Sequence, residues 1–290
     1  MRIFGLICMF CFVLGGSLNA QKIFKNKVKV SNAKGTLWGY WGYNRSAYTK
    51  SDLTFVGRGY DFILKNATAS DNPSRDIKDY FDLSKLTVPQ FNARVGYYYK
   101  NKYAISLGYD HMKYVFDDGN QVLIQGDIDP SLNAVWSGDY KDAQVVTNRN
   151  DFHYENSNGL NYIYAELTRS DLLYRIRNKL FAISSSVSLG TGCTLTINDF
   201  NFAGQHDRFT QSISGFAFSG HLALRFEFFR HFFIQPELSG GRMNLMKVRT
   251  RNEDKNAFAK HKFWYAQRSV TAGFFVYLKP NNGCQDCPVW

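Results

Sequence analysis

Beyond its first twenty residues the chain lacks any apolar run approaching the ~18 residues that a membrane-crossing helix needs, which excludes a helical membrane span in the mature protein. Cysteine is scarce. Five occur in 290 residues, and only Cys193, Cys284 and Cys287 follow the leader. Two of these, in the tail "KPNNGCQDCPVW", predict a local Cys284–Cys287 disulfide in an oxidising compartment. They are too few for a structural zinc site and lack the βαβ context of a redox motif. "SGGRMN" (Ser239–Asn244) opens no helix, so nucleotide binding is excluded. No cofactor and no metal are expected.

The chain opens "MRIFGLICMFCFVLGGSLNAQ". Arg2, an apolar stretch Ile3–Leu14 and small residues Gly15–Ala20 form a secretory signal peptide cleaved after Ala20. The net charge is +11. Without Arg2 the balance is 34 basic against 24 acidic residues. A secreted chain with scattered basic residues is not read as a nucleic-acid binder. A cationic face toward anionic lipopolysaccharide fits better.

What the chain has is aromatic residues, 25 Phe and 18 Tyr among them, arranged with a period of two. Around "FSGHLALRFEFF", Phe216, Phe218, Leu222, Leu224, Phe226 and Phe228 form one set. Gly215, Ala217, Ser219, His221, Ala223, Arg225 and Glu227 form the other. Strict alternation is a β-strand. Large apolar residues on one face and small or ionised ones on the other suit lipid outside and a narrow filled lumen inside.

Similar runs cover 36–48, 90–116 (a hairpin around Lys100-Asn101), 160–169, 181–197, 212–228, 232–246 and 263–279. The predicted fold is all-β: a closed antiparallel transmembrane β-barrel of eight strands. Ten is the alternative, because 55–68 and 121–128 also look extended. Short connections near 100, 170–180 and 230 alternate with long ones, as periplasmic turns alternate with outer loops. The expected division is signal peptide 1–20, periplasmic segment 21–35, barrel 36–279 and periplasmic tail 280–290.

An eight-stranded lumen is just wide enough for side chains. Arg94, Asp110, Glu166, His221, Arg225, Glu227 and Glu237 all fall on inward sets. Buried charges must be paired, so Arg94, Glu166, His221, Arg225, Glu227 and Glu237 are predicted to form a salt-bridged plug that closes the lumen. At the outer rim, Asp110, His111 and Lys113 and, in another loop, His206, Asp207 and Arg208 are candidate binding groups for lipopolysaccharide phosphates.

"FHYENSNGLNYIYAEL" (Phe152–Leu167) resembles outer-membrane phospholipase A and the lipid A 3-O-deacylases. The resemblance implies a lipid esterase with Ser157 as nucleophile, His153 as base, and Glu166 or Asn161 orienting the base. His153 and Ser157 stand four apart here, where those families place them two apart. The last strand, with Phe274, Val276 and Leu278 alternating, resembles the assembly signal of outer-membrane barrels, although a tail follows it. The resulting expectation is a Gram-negative outer-membrane barrel acting as a structural or surface-binding protein through basic, aromatic loops. A lipid hydrolase is the first alternative and a small porin the second. The expected partners are outer-membrane lipid, lipopolysaccharide and the barrel-assembly machinery.

Overall fold

The computed structural model describes residues 30–278 except 75, 81, 83–87, 134 and 177–179. The signal peptide and the Cys284–Cys287 tail lie outside the described residues. The thirteen strands are β1 (Thr36–Tyr48), β2 (Ser51–Gly57), β3 (Tyr60–Ala67), β4 (Ala69–Ser70), β5 (Phe91–Lys100), β6 (Tyr103–Phe116), β7 (Gln121–Ile128), β8 (Gly138–Val146), β9 (Phe152–Arg175), β10 (Phe181–Phe202), β11 (Gln205–Phe228), β12 (Phe232–Arg249) and β13 (Phe258–Tyr277).

Eight of them close a ring in the order β1-β5-β6-β9-β10-β11-β12-β13, and β13 returns to β1. The seam pairs Thr36 with Tyr277 and runs without a register break to Tyr48 with Tyr265. All pairings are antiparallel and mostly between sequence neighbours, as short turns dictate. The turn after β5 falls on Asn101-Lys102, one residue beyond the expected position, with Lys102 left-handed at φ 71°. The β11–β12 turn carries Phe229 and Arg230 at positive φ.

Strand β9 has 24 residues and β11 has 24, far more than the roughly 10 that cross a bilayer. Their lower parts carry exposed apolar residues outward: Ile163 and Leu167 on β9, Phe218 and Leu222 on β11, Leu238 on β12, Val270 and Phe274 on β13. Burial of such a belt needs lipid. Among the described residues no helix is long and apolar enough to cross a membrane.

The extended stretches 55–68 and 121–128 do not enlarge the ring. They join an outward sheet, β13-β2-β3-β7-β8, that continues from the upper end of β13. β2 takes over the β13 edge at Thr54–Val56, opposite Phe258–Lys260. This sheet folds over the barrel mouth. Phe55 and Phe62 stack at 5.3 Å, and Phe55 stacks on Phe200 of the barrel wall at 5.2 Å. Leu64, Ile124, Trp136, Phe152 and Phe202 complete a buried apolar cap core.

Candidate functional site

Inward side chains of the lower strands fill the lumen. Gly96 and Gly108 give the space: a Cβ at either would overlap the Trp38 indole or the Tyr164 phenol. Into the remaining volume projects Arg94 from β5. Its guanidinium pairs with Glu166 at 2.8 Å and Glu237 at 3.2 Å. His221 lies 2.8 Å from Glu237 and 3.5 Å from Glu166. The Tyr40 and Tyr164 rings flank the Arg94 guanidinium at 5.1 and 5.3 Å. All four ionisable side chains are buried; both carboxylates stand against the Arg94 guanidinium as ion-pair partners, and Glu237 also accepts a hydrogen bond from it.

The plug is not one network of six. Among the described residues Arg225 meets no carboxylate. It donates to Gln235 at 2.7 Å and sits over Phe233 at 4.4 Å, Trp38 at 5.0 Å and Phe275 at 5.3 Å, a cation–π cage. Glu227 accepts from Ser31 at 2.8 Å and Ser184 at 2.5 Å. Neither Arg225 nor Glu227 therefore joins the expected salt-bridge set: aromatic faces and hydroxyls satisfy them instead. Ser31 precedes β1, and Asn32 beside it donates to the Ser170 carbonyl at 3.0 Å. The residues just before β1 thus stop the lower mouth of the barrel.

The expected rim constellation is dispersed. Asp110 is a lumen residue, fully buried, accepting from Tyr164 at 3.2 Å; strand alternation turns it inward while its neighbours face out. His111 stacks on Phe91 and lies 2.7 Å from Asn161. Lys113 is half-buried on β6. His206 bonds Asp199 at 2.5 Å, with Arg208 3.6 Å from the same carboxylate. Asp207 turns the other way and pairs with Arg251 at 3.0 Å. No group of three or more metal-ligating side chains assembles among the described residues.

The expected esterase set is likewise divided. Glu166 belongs to the Arg94 plug, and Asn161 accepts from Tyr109 at 2.8 Å. His153 does not reach Ser157. Its two ring nitrogens face Asp118 and Glu155, each at 2.8 Å, an arrangement that favours the doubly protonated ring, in which both nitrogens donate. Burial opposes that charge, but the two carboxylates outweigh it and raise the His153 pKa. Ser157 donates to Glu155 at 2.7 Å. Burial again opposes, yet bonds from His153 and Ser157 and the Arg149 charge bring Glu155 down to about 2. A carboxylate that weakly basic cannot take a serine proton at neutral pH. Asp118 and Arg149, which complete this row, come from a long connection, and no local spacing marks them.

Another outward row was readable in the sequence and overlooked. "KHKFWYAQR" puts Lys260, Lys262, Trp264 and Arg268 on alternate positions of β13, all exposed, while His261, Phe263, Tyr265 and Gln267 point in. A hollow of ≈ 790 Å³ lies on the lipid-facing flank, lined mainly by apolar side chains, among them Val95, Leu107, Leu167, Leu189 and Phe218.

An antiparallel ring with an apolar belt outside and a polar filling is an outer-membrane-type β-barrel. No known family model matches the chain and no curated protein matches it. Among solved structures it is similar to Ail, the attachment invasion locus protein of Yersinia pestis, at 13% identity over 84% of this chain and 99% of that one, TM-score 0.32. It is also similar to OprG of Pseudomonas aeruginosa, at 9% identity over 85% and 98%, TM-score 0.37. The outer membrane protease OmpT of Escherichia coli matches at 11% identity over 87% and 100%, TM-score 0.36. These likenesses concern barrel architecture alone.

Proposed function

We propose that the protein is a closed surface barrel of the bacterial outer membrane, one that binds through its outward structure and conducts no solute. The observation that carries this reading is the Arg94–Glu166–Glu237–His221 cluster, buried across the lumen. Below it Trp38, Phe233 and Phe275 enclose Arg225, and Ser31 and Asn32 fill the periplasmic mouth. Above it the aromatic cap core seals the other end. A small porin would need an open polar channel.

What projects from the membrane is a sheet ending at β8, whose outer edge pairs with no strand among the described residues. Such edges and rims are where surface barrels meet partners. On this reading the partners are outer-leaflet lipid, lipopolysaccharide included, and the assembly machinery that inserts the barrel. Serine-esterase chemistry has no support in the geometry, because Glu155 stands between Ser157 and His153.

Reconstitution in planar bilayers tests the reading. The purified barrel, shown folded by heat-modifiable migration, gives no conductance steps. Steady single-channel steps would replace the closed barrel with a porin.

A further inference from the structure

We propose that the outward wall of β12 and β13 binds the phosphate groups of an outer-leaflet phosphoglycolipid; the proposal rests on the outer-membrane reading above and names a ligand for its outward surface. The aliphatic belt ends on these strands at Leu238 and Val270, both well exposed. Beyond them the outward positions carry Arg268, Arg242, Trp264, Lys262 and Lys260, all exposed. Arg242 stands opposite Trp264, with its guanidinium 5.9 Å from the ring centroid, and Asn244 stands opposite Lys262. A tryptophan among cations beside an apolar belt marks the interface, where lipid headgroups sit.

Three further observations point to an anion. First, none of the ion pairs among the described residues includes Arg242, Lys260, Lys262 or Arg268. Second, Arg268 faces Arg45 directly across the seam. Like charges opposite one another destabilise a ladder, and an anion between them reverses the sign. Arg45 is already oriented by the Tyr80 hydroxyl and the Asn44 carbonyl. Third, the wall opens into a groove of ≈ 520 Å³ where β13 exchanges its β1 neighbour for β2. Thr54, Asn244, Met246, Lys260 and Lys262 line it, together with one carboxylate, Asp52. The groove offers two ammonium groups, a hydroxyl and an amide to phosphate oxygens, and Leu238 and Val270 lie on the belt side for the acyl chains.

On the opposite flank the acidic groups are already paired. Glu155 on β9 stands beside Asp199 on β10, with Arg149 on Glu155 and His206 and Arg208 on Asp199. The basic row on β12 and β13 faces one side of the rim, so the lipid has a defined seat.

The test uses the full-length barrel in detergent, titrated with bisphosphorylated lipid A and with the same lipid dephosphorylated, read by native mass spectrometry. The wild type prefers the phosphorylated lipid, and salt weakens that preference. The combined R242Q/K260Q/K262Q/R268Q variant loses affinity by at least ~10-fold, since each basic group near an anionic surface contributes about a factor of five. The K141Q/K255Q control, which removes exposed charges elsewhere, keeps it. Equal affinity of the quadruple variant, or equal binding of the two lipids, overturns the proposal. So does full competition by inorganic phosphate at equal concentration, which would mean a free-anion site. A barrel that conducts yet still discriminates the two lipids sinks the closed-lumen reading and leaves this site standing.

Discussion

The lower and upper halves of the molecule are built on the same strands with opposite logic. Along the lower part of β9, Tyr162, Tyr164, Glu166 and Thr168 point inward while Ile163 and Leu167 face lipid. Along its upper part Phe152 and Tyr154 point inward, while His153, Glu155 and Ser157 take the opposite face, bonded to one another and to Asp118 and Arg149. Below, the core is polar and the surface apolar; above, the core is aromatic and the surface polar. The medium outside the wall decides which face takes which residues.

Some register shifts of the ring lie at its lower end, at Tyr98/Lys100 and Ile183/Ser184, and one in the upper wall at Asn198/Phe200, but others fall where the logic inverts. These others are at Met112/Tyr114 between β6 and β9, Thr196/Asp199 between β9 and β10, and Thr194/Leu195 between β10 and β11. A fourth lies at Leu245/Val248 between β12 and β13. On β9 the extra residues come two at a time, Leu160 to Asn156 against Met112 to Tyr114 and Leu160 to Glu155 against Thr196 to Asp199. Parity is therefore kept, and Phe152 and Tyr154 stay on the inward set of Tyr162 and Tyr164.

The comparison is broken most forcefully at Arg94. Arg94→Met leaves Glu166 and Glu237 buried without their cation, and unfolding in urea should become easier by about 3–5 kcal/mol. Adding Glu166→Gln and Glu237→Gln should restore most of the loss. If Arg94→Met is neutral, the polar core does not hold the lower half together. In the upper half Phe152→Ala should cost about 3 kcal/mol, at the lower end for a buried phenylalanine. That loss belongs to the cap: hydrogen exchange should rise in β2, β3 and β7 while 160–169 stays protected. Equal deprotection of both would show one cooperative core instead of two.

The smallest effect is pH-dependent. Glu155 has its pKa depressed to about 2 from 4.5, so its contribution is present above about 4.5 and lost as pH falls toward 2. The His153 pKa is raised above 6.5, so its contribution is present below that value and lost as pH rises through the raised one. Protection of backbone amides 152–157 should therefore peak between about pH 4.5 and 6.5. His153→Gln should abolish the alkaline decline and leave the acid one. A flat profile in the wild type would show that the Asp118–His153–Glu155 row holds nothing in place.

Period-two alternation made the ring legible, because each strand meets lipid on one side and a narrow lumen on the other. That pattern alone placed Arg94, Glu166, His221 and Glu237 inside. It could not say that Arg225 would rest on aromatic faces, since Trp38 and Phe275 come from distant strands. Nor could it show that 55–68 and 121–128 pair with each other instead of entering the ring. Ladders between two long connections depend on which loops meet in space, and local spacing carries no record of that. Asp110 could be read both ways: strand parity aims it into the lumen and nearness to a loop suggests the rim, and parity decides.

Strand β13 touches β1 along its lower length and β2 at its upper end. The first strand of the chain and the outward sheet thus share one late-made partner. During synthesis β2, β3, β7 and β8 emerge long before the edge they dock on. The cap's sheet therefore cannot extend the barrel's hydrogen-bonded wall until the last strand arrives, and closure of the seam and strand pairing of the cap become a single event in assembly.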